Sequence, residues 1–192
     1  ANEVAFPFGY GLSYTDFELR NMKMEMGKKG YEITVDVYNT GDRAGKEVVQ
    51  LYLQKPYTAY AEKNGLEVPS VELAGFYKTK VIEPGEHESI KIVMSEEALK
   101  SFDASGKGTY IIDEGTYLVT AAQDAHAAVN NILMYKGKAR SALLSGTGDG
   151  GLVEVIDRKR DNKKYAVTAQ TGSKVRRRFT EADPAEYDPD FH

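Results

Sequence analysis

The chain has 192 residues, 41% of them apolar, a formal net charge of −4 and no cysteine. That is enough apolar sequence for one buried core with residues to spare, and it leaves hydrophobic burial rather than disulfides or thiolate metal sites to hold the fold. The charge is uneven, with 13 basic against 20 acidic residues up to Tyr135 and 12 against 9 beyond it; an acidic body and a mixed run such as KVRRR beside Glu181, Asp183 and Glu186 do not make a phosphate track.

Ahead of the first strand, FPFGYGLSYT crowds Phe6, Phe8, Tyr10, Leu12 and Tyr14 among two glycines and a proline. Left exposed, such a stripe is adhesive, so it is expected to be buried on this domain or against a neighbouring one, and residues 1–14 read as a junction segment. Residues 15–137 then show short alternating segments separated by Gly, Pro, Asn and Asp, the pattern of an all-β sandwich. Ile33, Val35 and Val37 alternate with Thr34, Asp36 and Tyr38, which places one face inward. NTGDRAG follows, with Gly41 and Gly45 expected to supply positive φ for a hairpin. KEVVQLYLQKP is apolar on both faces and reads as a central strand.

Residues 57–69 interrupt the alternation, and long ordered loops are often functional. Tyr57 and Tyr60 there either pack on their own domain, the commoner fate of loop tyrosines, or stack on a sugar ring. In EPGE, Pro84 and Gly85 hold the central positions of a type II turn, and HESIKIVM turns Ile90, Ile92 and Met94 to one face. Ser95 caps a single helical turn that connects the sheets. DEGTY has the spacing of a tyrosine corner, which makes Tyr117 a fold residue. NNILMYKG is expected as the last of about seven strands, so the class is an immunoglobulin or fibronectin type III-like sandwich.

Residues 138–192 read as a linker or tail leading to a following domain. SGTGDGG is expected as a flexible joint, with Leu152 to Ile156 pairing with Tyr165 to Thr168 as a short hairpin and ADPAEYDPDFH as an extended segment.

No catalytic constellation is visible. The acids are scattered, mostly at turns (Asp42, Glu83, Glu86, Asp113, Glu114), whereas glycosidase chemistry needs two carboxylates about 5–9 Å apart in a cleft. His87, His126 and His192 lack ligand spacing, so neither metal nor cofactor is expected, and GTGDGG lacks the strand and lysine of a phosphate loop. No apolar run reaches the roughly 20 residues that span a bilayer. Neither nucleic acid nor membrane is an expected partner, and self-association stays open. The Ala1 start without a signal-like segment is expected of a processed or excised piece, and with the lack of cysteine it favours a cytoplasmic over a secreted location.

The series FPFGYGLSYTDF, NTGDRAGKEVVQLYLQKP, VELAGFYKTKVIEPGE and EGTYLVTAAQDAHAAVNNIL, in that order from Phe6 to Gly137, closely resembles the fibronectin type III-like domain of glycoside hydrolase family 3, the β-glucosidases and their relatives. The resemblance implies a parent that hydrolyses terminal β-linked glucosyl residues with retention. It also implies that the nucleophilic Asp lies in a (β/α)8 barrel and the acid/base in an α/β sandwich domain, so no catalytic residue transfers to this chain. It makes FPFGYGLSYT the passage from the α/β sandwich domain into this module. The tail looks like the connector of members whose barrel follows the module. The expected role is a non-catalytic scaffold whose partners are its sister domains, with carbohydrate met through the parent. Carbohydrate contact by the 57–69 loop and an adhesion-type protein-binding role are the alternatives.

Overall fold

The computed structural model describes residues 4–144, 146–167, 172 and 174. Two antiparallel sheets pack face to face. The first joins β1 (Phe17–Gly27), β2 (Gly30–Asn39) and β5 (His87–Met94) in the order β1-β2-β5. The second joins β3 (Val48–Gln54), β4 (Glu72–Lys78), β8 (Gly115–Ala122) and β9 (Val153–Arg158) in the order β4-β3-β8-β9. A small hairpin of β6 (Ser101–Asp103) and β7 (Thr109–Ile111) lies between β5 and β8, and the helices are α1 (Ala59–Asn64) and α2 (Ala125–Tyr135). The all-β sandwich is the expected class.

Alternation builds the core. Ile33, Val35, Val37, Ile90, Ile92 and Met94 of the first sheet meet Val49, Leu51, Leu53, Tyr117 and Val119 of the second, all buried. β3 is central, bonded to β4 on one side and β8 on the other; its inner face is covered by the first sheet and, at Tyr52, its outer face by Ala128 of the helix α2. Gly85 has φ +79 and Glu86 N donates to Glu83 O at 3.0 Å, the turn expected of Pro84 and Gly85. The Ser95 hydroxyl caps the 3-10 turn Glu96–Leu99 by accepting from Glu97 N. The Tyr117 hydroxyl donates to Asp113 O at 3.0 Å, closing the tyrosine corner, and burial with the Asp113 carboxylate nearby pushes its pKa up to about 12.

Four expectations are corrected. Residues 39–45 are a crossover between the sheets and not a hairpin, because β2 pairs with β1 and β5 while β3 lies in the other sheet. Neither Gly41 nor Gly45 has positive φ; a Cβ on Gly41 would lie 2.2 Å from Thr15 Oγ1, and one on Gly45 2.7 Å from Thr15 Cγ2. Close approach excludes side chains there. Buried Asn39 organises the crossover: its amide donates to Arg43 O and Ile82 O, while its carbonyl accepts from Thr15 Oγ1 and Gly41 N.

The second correction is NNILMYKG, whose apolar part belongs to α2 rather than to a strand. Asp124 caps the helix by accepting from Ala127 N at 2.8 Å, and Ala128 and Ile132, four apart, lie on the outer face of the second sheet against Ala122, Leu118 and Val153. Third, the seventh sandwich strand comes from residues assigned to the tail. β9 pairs with β8 from Gly115↔Arg158 to Thr120↔Val153, so the sandwich runs past Gly137 to Arg158. Leu152–Ile156 therefore does not form the expected hairpin with Tyr165–Thr168; Thr168, and the final ADPAEYDPDFH, lie outside the described residues.

Fourth, the glycine-rich segment is pinned. The carbonyl of buried Asn130 accepts from Leu144 N and that of Asn131 from Asp149 N, both at 2.8 Å, while the Asn131 amide donates to Thr120 Oγ1 and Ala121 O. A Cβ on Gly148 would stand 2.5 Å from Asn130 O, so glycine serves close packing on α2 here rather than flexibility.

Candidate interaction surface

The arm of residues 6–14 is fixed by its backbone and shows its side chains to solvent. Ala125 N donates to Phe8 O at 2.9 Å, and the Gln50 amide donates to Gly9 O at 2.9 Å and to Gln123 O. The Tyr52 hydroxyl donates to Gln50 Oε1 at 2.7 Å, which orients that amide, and burial pushes its pKa up to about 12. Gly9 is required twice over: its φ is +83, and a Cβ would lie 2.0 Å from Gln50 Oε1. A turn from Tyr10 N to Pro7 O brings Phe6 and Tyr10 into a stack with ring centroids 5.0 Å apart.

Against that anchored backbone, Phe6 is 66% exposed, Phe8 66%, Tyr10 46%, Leu12 90% and Tyr14 92%. Of the two places open to this stripe, burial on its own sandwich is not what the fold shows. Phe76, 67% exposed, adds to the same surface: it pairs with Gln50 across β3 and β4 and so shares the outer face on which the arm lies. Isolated surface apolar residues are ordinary, whereas several held on one anchored segment are unusual for a chain surface. Beneath the arm, Glu47 is half-buried; its carboxylate accepts from Val48 N and the Gln123 amide, and desolvation still raises its pKa.

Periodicity did not single out Gln50, Tyr52 or Phe76. The signal for the first two was the two-sided strand KEVVQLYLQ, in which an outward Gln and Tyr needed a cover.

The structure separates the two loop tyrosines. Tyr60, on α1, donates its hydroxyl to Asp103 Oδ2 at 2.5 Å, and Arg160 lies over its ring at 4.1 Å. The Asp103 bond, with burial, raises its pKa to about 12. Asp103 is fully buried and also accepts from Gly106 N and Lys107 N, so Tyr60 fastens α1 to the β6–β7 hairpin. Tyr57, one residue before the Thr58 cap of α1, is 65% exposed. The expected excursion is thus partly helical, with Ala61 and Leu66 buried against Ile111.

Among the described residues, no group of three or more His, Cys, Asp or Glu is placed to hold a metal ion. His87 stacks on Tyr38 with centroids 4.6 Å apart, His126 is in the first turn of α2, and His192 lies outside the described residues. No described helix is long and apolar enough to cross a membrane.

Residues 47–125, which run from Glu47 beside the arm through β8 to the first residue of α2, match the family model of the fibronectin type III-like domain. Over these residues the chain carries a fibronectin type III-like domain, and the curated relatives it resembles are β-glucosidases. The domain is similar to the β-glucosidase of Ruminococcus albus, 37% identical over 131 residues that make up 66% of this chain and 13% of that protein. Its fold is similar to the β-glucosidase of Kluyveromyces marxianus, solved in complex with glucose, at TM-score 0.55 and 38% identity over 64% of this chain and 14% of that one. It is similar also to β-glucosidase 3B of Thermotoga neapolitana, solved with α-D-glucose, at TM-score 0.55 and 28% identity over 80% of this chain and 18% of that one. The chain therefore spans less than a fifth of these relatives' length.

Proposed function

We propose that this chain is the non-catalytic scaffold module of a family 3 β-glucosidase and that the arm with Phe76 docks on a sister domain of the same enzyme. The parent hydrolyses terminal β-linked glucosyl residues, and the module fixes its catalytic domains relative to one another. The observation that carries this reading is the arm itself, a hydrogen-bonded backbone that presents Phe6, Phe8, Tyr10, Leu12 and Tyr14 outward. Ordering a backbone while leaving its apolar side chains in water is unfavourable unless another surface covers them. Full burial of five such side chains is worth on the order of 10 kcal/mol before entropy costs. The relatives' greater length supplies candidates for that surface.

The test compares one substitution pair in two settings. L12A/Y14A is expected to shift the melting temperature of the 192-residue chain by less than about 2 °C, because both side chains are already in water. In the full-length parent the same pair is expected to lower the melting temperature by several degrees and to weaken β-glucosidase activity with it. Equal, small effects in both settings would overturn the docking role.

A further inference from the structure

α2 begins beside the arm, at Ala125, and ends at the opposite end of the same outer face, where Tyr135 and Lys136 stand on the rim of a cleft. Tyr57 lines the same cleft. The cleft encloses about 590 Å³, within the range of about 300–1,000 Å³ usual for small-molecule sites. Its lining combines Pro56, Val68, Pro69 and Leu118 with polar Gln54, Ser70 and Thr116. We propose that this cleft binds a pyranose saccharide, with Tyr57 and Tyr135 as the ring contacts and Lys136 and Gln54 as the hydroxyl contacts.

Three features select that class. Tyr57 and Tyr135 are 65% and 47% exposed, and their hydroxyls make no hydrogen bond within the described chain, so ring surface and phenols are available to a ligand. A pyranose presents a C–H face to stack on such a ring and a rim of hydroxyls for the polar groups. Next, Gln54 is held in place, its amide donating to Ser70 O at 2.7 Å and its carbonyl accepting from Lys136 Nζ, which keeps further donor capacity. Pre-positioned polar groups lower the ordering cost of binding. Last, the cleft is lined by no carboxylate and two lysines, of which Lys55 is tied to Glu72 at 2.8 Å and to Lys100 O at 2.6 Å. One remaining cation suits a neutral, hydroxyl-rich ligand better than a phosphorylated one.

The choice of β-glucan as the probe rests on the proposed parent activity; the cleft's geometry does not. The experiment titrates the 15N-labelled 192-residue chain with cellotetraose. Shifts are expected at Tyr57, Ser70, Thr116, Tyr135 and Lys136, saturating with a dissociation constant near 1 mM, roughly −4 kcal/mol. Y57A and Y135A should each weaken binding at least tenfold with the rest of the spectrum unchanged, and Y14A, at a still more exposed tyrosine on the arm, should leave it intact. No shifts at about 10 mM cellotetraose, shifts centred on residues 6–14, or binding that survives Y57A/Y135A would each overturn the proposal. None of these outcomes depends on the L12A/Y14A comparison, so the two readings fail separately.

Discussion

The N-terminal arm and the stretch from Leu144 to Tyr165 flank the same sandwich, yet they use their residues in opposite ways. The arm is held by carbonyls, at Phe8 and Gly9, and its side chains face water. The C-terminal stretch is bonded through its backbone as well, at Leu144, Asp149 and β9, but it also buries or pairs its side chains. Leu152, Val153 and Ile156 enter the core, Arg158 and Lys164 both pair with Glu96, and Arg160 pairs with Asp113 and Glu114. Apolar surface already buried belongs to this domain's own stability, whereas apolar surface presented on a fixed backbone adds nothing to it and is what the proposed docking would use. Residues that read as a linker are integral to the fold, and residues that read as a junction segment show their apolar side chains to solvent.

Truncation separates the two regions most sharply. Ending the chain at Gly137 would leave β8 an open edge and uncover Tyr117, Leu118 and Val119, and cooperative thermal unfolding followed by circular dichroism should disappear. Removing residues 1–14 should leave a folded protein, about 1–3 kcal/mol less stable through the freed Gln50 amide and Ala125 N. If the first variant melts cooperatively, β9 is not the seventh strand in any energetic sense.

A smaller effect is expected from N131A, which removes the bridge between β8 and the glycine-rich segment. It leaves Thr120 and Asp149 N short of a partner, at a cost of about 2–3 kcal/mol in urea denaturation. An unchanged midpoint would mean that the segment is not held as described. Y117F, which deletes the tyrosine-corner hydroxyl, should cost about 1–2 kcal/mol, read the same way.

The smallest effect is electrostatic. Hydrogen bonds from Lys164 and then Arg158 hold the Glu96 carboxyl below its ordinary value of 4.5. A lowered folded pKa means that ionised Glu96 stabilises the fold fully above about pH 4.5, and that this contribution is lost as pH falls through the lower folded value. E96Q should therefore lower stability by up to about 1 kcal/mol at pH 7 and make no difference near pH 2. Equal destabilisation at both values would assign the effect to packing. Glu47 acts with the opposite sign, since burial raises its pKa and stability from this group increases as pH falls through the raised value.

Much of the fold was legible because alternation is a local property. Ile33, Val35 and Val37, the two-sided strand around Leu51, the Pro84–Gly85 turn and the corner at Tyr117 each carry their signal within a few residues. The expectations that fail have two causes. ILM in α2 is too short an apolar run to separate helix from strand, and the Asp124 cap ahead of it decides for helix. Gly41, Gly45, Gly148 and Gly150 were read for backbone freedom, but their role depends on atoms contributed by Thr15, Asn130 and Tyr135 from other parts of the chain. At the candidate sites, the division of Tyr57 from Tyr60 depends on Asp103 and Arg160, more than forty residues away in sequence from Tyr60.

By itself, then, the sequence determined a cysteine-free sandwich whose two sheets fill one core, because strand periodicity and turn chemistry are written in neighbouring residues. Only the tertiary structure decided which strand closes the second sheet, which glycines serve close contact and which aromatics remain outside. Those outcomes follow from competition between distant segments for the same surface. β8 has one free edge for β9 to occupy, and the outer sheet face that α2 covers leaves the arm room to attach by its backbone alone.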